Sequence, residues 1–150
     1  MCGIVGYSGI NHNKISLSKA ILEINHRGPD DFGSFIDEAE GLGLGHTRLS
    51  IIDTSSFGHQ PMHSSDSRVI LVFNGEIYNY KELRSELKTK GFVFQGKSDT
   101  EVLLNLYLEE GVNMLSKLNG VFAFSIWDAN SKILFVARDA LGVKPLYYNA

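Results

Sequence analysis

The sequence predicts an α+β fold, in which strands and helices are interspersed in clusters. Short β-branched and aromatic runs typical of strands occur in groups, and apolar residues at helical spacing lie between those groups. A regular β–α–β alternation, which would favour a parallel sheet, is not seen. The 150 residues contain no internal repeat, linker or low-complexity tract, so we expect a single domain.

The N-terminal third predicts three strands and one helix. The short apolar run Gly3–Ser8 is typical of a buried strand, and residues 15–25 carry apolar side chains at helical spacing. Glycine and proline end that helix in a turn at residues 26–30. Residues 33–36 and 42–50 have strand composition.

The middle of the chain begins with a loop and continues with its most apolar strand. Residues 54–66 have loop composition, and residues 68–73 form a β-branched run. That strand is predicted to end at Asn74-Gly75, a turn pair. Residues 80–90 then have the pattern of an amphipathic helix.

Glycines mark the ends of the next two predicted helices. Gly91 closes the helix at residues 80–90, and a short strand is expected at residues 92–94. Residues 98–101, Ser-Asp-Thr-Glu, are a helix N-terminal signal, and Gly111 closes the helix that follows. A short helix is expected at residues 114–118.

The C-terminal segment predicts a hairpin and the start of one more strand. Residues 121–128 and Ile133–Arg138 have strand patterns, joined by a turn at residues 129–132. Residues 146–148 begin another strand. An edge strand there would present unpaired backbone groups, so we expect a homo-oligomer through that edge, or marginal stability as a monomer.

Composition and charge limit the classes of partner and compartment. A net charge of −3 without a long basic cluster argues against a nucleic-acid partner, and no apolar run reaches transmembrane length. One cysteine excludes an internal disulfide and fits a reducing, cytoplasmic compartment. The histidines have no metal-ligand spacing; His59 and His63 are four residues apart, but Pro61 between them predicts a loop.

Cys2 is the strongest candidate for a catalytic residue. It is the single cysteine and directly follows Met1, and its small size favours removal of that methionine. Removal would place a free α-amine beside the thiol, and an N-terminal amine that activates its own side chain is a known form of nucleophilic catalysis. The alternative is a small apolar residue at the start of a buried strand.

Asn74-Gly75 and Arg48 are candidates for binding oxygen atoms of a substrate. A backbone N–H and an amide side chain at the end of a strand are the two donors that an oxyanion hole needs; the alternative is a plain hairpin turn. The guanidinium of Arg48 suits a carboxylate, and the alternative is a surface arginine with a solvated head.

Asp99 and Arg27 permit a functional and a structural interpretation. Asp99 at a helix start is either an N-cap or a carboxylate for a substrate ammonium group. Arg27 is assigned to structure, because the turn that contains it needs internal hydrogen bonds. A thiolate, a donor pair, an arginine and an aspartate together meet the requirements for cleaving the side-chain amide of glutamine.

Seven sequence blocks occur in an order that resembles a known family. They are Met-Cys-Gly-Ile at 1–4, His-Arg-Gly-Pro-Asp at 26–30, Gly-His-Thr-Arg-Leu-Ser-Ile-Ile-Asp at 45–53, Phe-Asn-Gly-Glu-Ile-Tyr-Asn at 73–79, Ser-Asp-Thr-Glu at 98–101, Gly-Val-Phe-Ala-Phe at 120–124, and Arg-Asp-Ala-Leu-Gly-Val-Lys-Pro-Leu-Tyr-Tyr at 138–148. The chain resembles the glutaminase domain of glutamine-hydrolysing asparagine synthetases, a branch of the class II, N-terminal-nucleophile amidotransferases.

The resemblance implies a fold and a set of site residues. The family fold is a four-layer αββα N-terminal-nucleophile hydrolase sandwich of two antiparallel sheets. Cys2, once unmasked, corresponds to the nucleophile, and the Asn74 side chain and Gly75 N–H to the oxyanion hole. The substrate-binding residues that it implies are Arg48 for the α-carboxylate of glutamine, with Glu76 and Asp99 around its α-amino group.

The resemblance also implies substrate, partners and domain extent. L-Glutamine would be hydrolysed to glutamate and ammonia with no metal or organic cofactor, and ATP and Mg²⁺ would serve only a synthetase domain, acting in cis or in trans. The Ser-Gly-Gly-x-Asp-Ser loop of that domain is absent from the sequence, so residues 1–150 are expected to be one glutaminase domain, incomplete at its C-terminal end. The alternatives are a non-catalytic glutamine- or partner-binding module and the ammonia-donating half of a sugar-modifying amidotransferase.

Overall fold

The computed structural model describes residues 1–9 and 14–149, with the side chains of residues 14 and 15 left aside. The strands are β1 (Gly3–Ser8), β2 (Asp31–Asp37), β3 (Leu42–Arg48), β4 (Met62–His63), β5 (Val69–Ile77), β6 (Gly120–Asp128) and β7 (Ile133–Arg138). The α-helices are α1 (Lys14–Glu23), α2 (Tyr80–Thr89) and α3 (Asp99–Glu110). Short 3₁₀ helices cover Asn25–Arg27, Ser56–Gly58 and Gly111–Lys117.

The strands form two antiparallel sheets. The first has the order β1-β3-β2, with β3 in the centre, and the second has the order β4-β5-β6-β7. β5 and β6 pair over nine positions, from Val69 opposite Asp128 to Ile77 opposite Gly120. β4 covers only Ile70 and Leu71 on the other side of β5.

The alternation of side chains along each strand divides the apolar residues between two layers. Leu42 and Leu44 of β3 pack on Ile70, Val72 and Trp127 of the second sheet. This contact places the two sheets face to face, and it leaves the remaining faces of both sheets for helices.

Helix α1 covers the outer face of the first sheet, while α2 and α3 cover the second. A Cβ at Gly45 would collide with Ile21 of α1, so glycine at this position of β3 lets the helix approach closely. On the other side, buried residues of α3 such as Val102 and Leu106 pack with Leu71 and Phe124. The order of layers is α1, first sheet, second sheet, α2 with α3, which is an αββα sandwich.

Most predicted elements are confirmed. β1 and β7 have the predicted bounds, and β2, β3, β6, α2 and α3 agree within a few residues. Ser98 caps α3 by accepting a hydrogen bond from the N–H of Glu101. Gly91 and Gly111 follow their helices with positive φ angles of 94° and 58°, a conformation that glycine adopts without strain.

The predicted turn at Asn74-Gly75 is wrong, because β5 continues to Ile77. Asn74 pairs with Ala123 and Gly75 with Phe122. A Cβ at Gly75 would collide with the backbone of β6. The glycine therefore serves a close cross-strand contact and not a turn.

The predicted strand at residues 92–94 is also wrong. The N–H of Phe92 donates to Leu87 O, which completes the end of α2. Phe92 and Phe94 then pack against the core, and the Arg84 guanidinium lies 4.3 Å from the ring centroid of Phe94. Their apolar character reflects this packing and not a sheet.

Three other predicted segments differ from the structure. The loop at residues 54–66 contains the 3₁₀ turn Ser56–Gly58 and the two-residue β4, so His63 is a strand residue. The helix predicted at residues 15–25 ends at Glu23, and Asn25–Arg27 forms a 3₁₀ turn. The helix predicted at residues 114–118 is part of the 3₁₀ segment Gly111–Lys117.

The strand predicted at residues 146–148 is wrong, since the described residues there form no strand. Tyr147 and Tyr148 are 91% and 90% exposed. The edge strand from which we expected a homo-oligomer is therefore not part of the described fold, and β7 is the outermost strand of its sheet.

The described helices and acidic or histidine side chains show neither a membrane span nor a metal cluster. Within residues 1–9 and 14–149, none of the helices has the length and apolar character to cross a bilayer. The same residues contain no group of three His, Cys, Asp or Glu side chains arranged as a metal would require. His12 lies outside the described residues.

Candidate active site

Side chains from both sheets meet at one end of the layer between the sheets. Side chains along a strand alternate between its two faces. This alternation places the side chains of Cys2, Arg48 and Asn74 on the faces that are directed at the opposite sheet. They therefore project toward the same open end. A cavity of about 80 Å³ lies there, and it is lined by all six predicted site residues: Cys2, Arg48, Asn74, Gly75, Glu76 and Asp99.

Backbone groups and one arginine hold Cys2 at the wall of this cavity. The N–H of Leu49 lies 3.4 Å from Cys2 Sγ, and the thiol lies 3.7 Å from Leu49 O. The Nε of Arg27 donates to Cys2 O at 3.1 Å. We assigned a structural role to Arg27 because of the turn that contains it. In the structure its side chain holds the backbone of the candidate nucleophile.

The outer edge of β5 directs backbone groups toward the cavity. The N–H groups of Phe73 and Ile77 point away from β6, because they donate to Gln60 Oε1 at 2.7 Å and Asp99 Oδ2 at 3.0 Å. Since successive residues of a strand direct their N–H groups to opposite sides, the N–H of Gly75 points the same way. It faces the cavity that Gly75 lines.

The partner strand supports this orientation of Gly75. Phe122 lies opposite Gly75, and its N–H and C=O bond with Asp139 on the far side of β6. The pair is thus a non-hydrogen-bonded pair of the ladder. An amide N–H at Gly75 and the side chain of Asn74 are both placed to meet an oxygen atom in the cavity.

Arg48 is a buried residue, so the alternative of a solvated surface arginine is wrong. It is 7% exposed, and its guanidinium donates to Ser55 O at 3.0 Å and also to Asp53 O. A Cβ at position 58 would collide with the guanidinium, so a larger residue there would displace the Arg48 side chain from its present position. A guanidinium has five N–H donors, so donors remain for a ligand in the cavity.

Asp99 is a buried carboxylate at the start of α3. Ser98 is the N-cap, so the interpretation of Asp99 as N-cap is wrong. Burial raises the pKa of Asp99, and backbone N–H groups that include that of Ile77 oppose the rise. Glu76 is exposed at the rim, and its charge raises the pKa of Asp99 further.

His46 lies between the sheets close to the candidate site. Its Nε2 donates to Phe73 O at 3.2 Å. Burial lowers the pKa of His46 to about 4, so the ring is neutral at physiological pH. The Nδ1 atom is buried and has no hydrogen-bond partner within the described part of the chain.

Sequence reasoning missed several residues of the cavity wall. Gln60, Asp53, Thr100 and Lys144 all line it. Hydrogen bonds from Ser55 and from the N–H of Lys97 lower the pKa of Asp53. Asp53 lies in the same sequence block as Arg48, and this position could have indicated that it belongs to the site. The sequence around Gln60 has loop composition and gives no such indication.

The C-terminal part of the chain reaches the cavity through Lys144. The N–H groups of Val143 and Lys144 donate to the carboxylate of Asp139 at 2.9 and 3.0 Å. The Nζ of Lys144 lies 3.1 Å from the sulfur of Met1. The cavity thus has cationic and anionic groups on its wall, as a zwitterionic ligand requires.

Comparison with known proteins identifies the family. The model of a family described as "Glutamine amidotransferase domain" matches residues 1–150. The chain is 48% identical to "Asparagine synthetase [glutamine-hydrolyzing] 1" of Bacillus subtilis, over 99% of this chain and 24% of the relative. It is 45% identical to "Amidase chry2" of Gibberella zeae, over 83% of this chain and 18% of the relative.

A solved structure supports the fold. Glutamine phosphoribosylpyrophosphate amidotransferase from B. subtilis superposes with a TM-score of 0.68 and 25% identity, over 92% of this chain and 36% of that chain. The αββα fold that the resemblance implies is confirmed. With a family model that matches its whole length and relatives at 40–48% identity, the chain belongs to the glutamine amidotransferase family.

Proposed function

We propose that residues 1–150 are a glutaminase domain, which hydrolyses the side-chain amide of L-glutamine and supplies ammonia to a synthetase domain in cis or in trans. One observation carries the proposal. Cys2, Asn74 and Gly75 line one cavity, whose wall also includes Arg48 and Asp99. The relatives named as glutamine-hydrolysing asparagine synthetases support the choice of substrate.

The proposed reaction begins with attack of the Cys2 sulfur on the amide carbon of glutamine. A C–S bond forms, and the carbonyl electron pair moves to oxygen, where Asn74 and Gly75 donate hydrogen bonds. Collapse breaks the C–N bond, and ammonia leaves with the proton that the α-amine took from the thiol. Water then hydrolyses the thioester to glutamate and restores the thiol.

The charged residues of the cavity wall would fix the other end of glutamine. In the proposal Arg48 binds the α-carboxylate, while Asp99 and Glu76 face the α-ammonium group. Two carboxylates beside one ammonium group and one guanidinium beside one carboxylate complement a zwitterion. No metal or organic cofactor takes part in this half-reaction, and ATP with Mg²⁺ would serve the synthetase domain that uses the ammonia.

A turnover assay tests the proposal. Incubation with L-glutamine should yield glutamate and ammonia in equal amounts, whereas L-asparagine, which is one methylene shorter, should react far more slowly. Binding of glutamine without release of ammonia would instead support a non-catalytic binding module. The ammonia acceptor, an aspartate or a sugar-linked carboxylate, is tested by offering each acceptor, with ATP, to residues 1–150 together with the synthetase domain that they supply.

Removal of Met1 is expected in the active protein. Met1 lines the cavity beside Cys2, and in the proposed mechanism its peptide bond would block the amine that serves as base. Intact-mass spectrometry of active protein should show a chain that begins at Cys2. Full activity in a preparation that contains only the Met1 form would contradict the use of the α-amine as base.

Arg48→Ala should raise the KM for glutamine by about 10- to 100-fold, since a hydrogen bond to a charged group contributes about 1.5–3 kcal/mol. Arg48→Lys keeps the charge and loses the planar fork, so its KM should lie between those of Ala and wild type. Because Arg48 also holds Asp53 and Ser55, thermal unfolding serves as the control. An unchanged KM in a folded Ala variant would show that Arg48 is structural.

A further inference from the structure

Along the outer edge of β5, side chains make the hydrogen bonds that the backbone of a neighbouring strand would otherwise make. β4 pairs only with Ile70 and Leu71. Beyond that point Gln60 Oε1 accepts the N–H of Phe73 at 2.7 Å, and His46 Nε2 donates to the C=O of the same residue at 3.2 Å. Both backbone groups of Phe73 are thus satisfied without a strand.

The same pattern resumes two residues after Gly75. Asp99 Oδ2 accepts the N–H of Ile77 at 3.0 Å. Gly75 lies between the two acceptors, with its N–H on the same side of β5. A neighbouring strand at this edge would have continued the ladder and also accepted the N–H of Gly75. A side chain, by contrast, accepts a single N–H and does not extend to the next one. Among the residues that the structure describes, none accepts the N–H of Gly75, so this donor is open to the cavity.

Gln60 is itself fixed in place. It is 4% exposed, it directly precedes the segment that enters β4, and its Nε2 lies 3.5 Å from Thr100 Oγ1 of α3. The amide therefore bridges the start of α3 and the edge of β5. A shift of Gln60 would move the peptide plane of Phe73, which immediately precedes the Asn74-Gly75 donor pair.

We propose that Gln60 is a positioning residue for the reaction: by holding the Phe73 N–H it sets the direction in which Asn74 and the Gly75 N–H meet the developing oxyanion. The proposal rests on the proposed glutaminase function. Gln60 acts through the backbone of β5 and takes no proton and forms no bond with substrate.

Gln60→Met provides the test, because methionine has similar length and lacks the carbonyl oxygen. Complete loss of an oxyanion donor costs about 10²–10³ in rate, so misdirection of the pair should lower kcat by about 10- to 100-fold. The KM for glutamine should change less than about threefold, since the charged groups proposed to bind glutamine are untouched. Gln60→Glu keeps an acceptor oxygen at the same reach and should recover most of the lost kcat.

A second measurement separates positioning from general damage. Iodoacetamide alkylates the thiol by displacement at a saturated carbon and needs no oxyanion hole. Cys2 is the single cysteine, so the alkylation rate reports on it alone and should be unchanged in Gln60→Met. Gln95→Met is the matched control, because Gln95 is exposed and lies outside the cavity wall.

Each outcome bears on the proposal. Selective loss of kcat with normal alkylation and recovery in Gln60→Glu would support it; wild-type kcat in Gln60→Met, or an equal loss in Gln60→Glu, would overturn it. If Gln60→Met does not fold, Gln60→Asn, whose amide is one methylene too short to reach Phe73, replaces it under the same criteria. Absence of turnover in the wild-type protein would instead refute the proposed function, independently of Gln60.

Discussion

Cys2→Ala should abolish the hydrolysis of glutamine while the protein stays folded. The substitution removes the sulfur that, in the proposed mechanism, forms the thioester, and the sequence has no other cysteine to replace it. In the proposed mechanism the groups that remain around the cavity bind glutamine without providing a nucleophile, so the expected loss is several orders of magnitude in kcat. The measurement is ammonia release at saturating glutamine.

The fold should tolerate this change because Cys2 contributes little to packing. It is partly buried, and within the described part of the chain its thiol hydrogen-bonds only, and weakly, to the backbone of Leu49. Thermal unfolding should match the wild type, and Cys2→Ser, which keeps a poorer nucleophile, is the matched control. A diazo-ketone analogue of glutamine should label the wild type at Cys2 and leave Cys2→Ala unlabelled. Persistent turnover in Cys2→Ala would contradict the mechanism.

The sequence predicted those elements whose pattern is decided locally. β6 and β7 are largely apolar runs joined by a turn with Asp128, whose carboxylate accepts the N–H groups of Asn130 and Ser131. α3 has a capping serine at its start and a glycine at its end. Such signals act within a few residues, so they can be read without knowledge of the tertiary structure.

Local signals failed where distant contacts decide the conformation. Asn74-Gly75 has the composition of a turn, yet pairing with Ala123 and Phe122 keeps both residues in β5. Phe92 and Phe94 have strand composition, yet they pack on the core as a connecting segment. In both cases the observed conformation is determined by contacts with residues that lie far away in the chain or on another element.

The candidate site was predictable where chemistry restricts the residue type. An N-terminal thiol has few uses, and the sequence indicated Cys2, Arg48 and Asn74, which the structure brings to one cavity. Gln60 could not be found in this way. Its hydrogen bond joins it to Phe73, which is 13 residues away, and nothing in the intervening sequence indicates that contact.

Asn74→Ala should lower kcat by about 10²–10³, the usual cost of removing one oxyanion donor. Asn74 is buried at the end of the inter-sheet layer and lines the cavity with Cys2. In the proposed mechanism its amide meets an oxygen that becomes fully charged only in the transition state. The KM for glutamine should therefore change much less than kcat, since the ground-state carbonyl gains less from the same donor.

Asn74→Asp distinguishes loss of a donor from loss of shape. Aspartate has nearly the same size, but an ionised carboxylate has no donor and repels an oxyanion, so its kcat should be at least as low as that of Asn74→Ala. Asn130→Ala, in the exposed β6–β7 turn, is the control and should keep wild-type kcat. Alkylation of Cys2 by iodoacetamide should proceed normally in all three variants, because that reaction forms no oxyanion. Equal kcat in Asn74→Asp and wild type would show that Asn74 does not donate to the reacting oxygen, and the N–H of Gly75 would then be the donor that remains on this edge of β5.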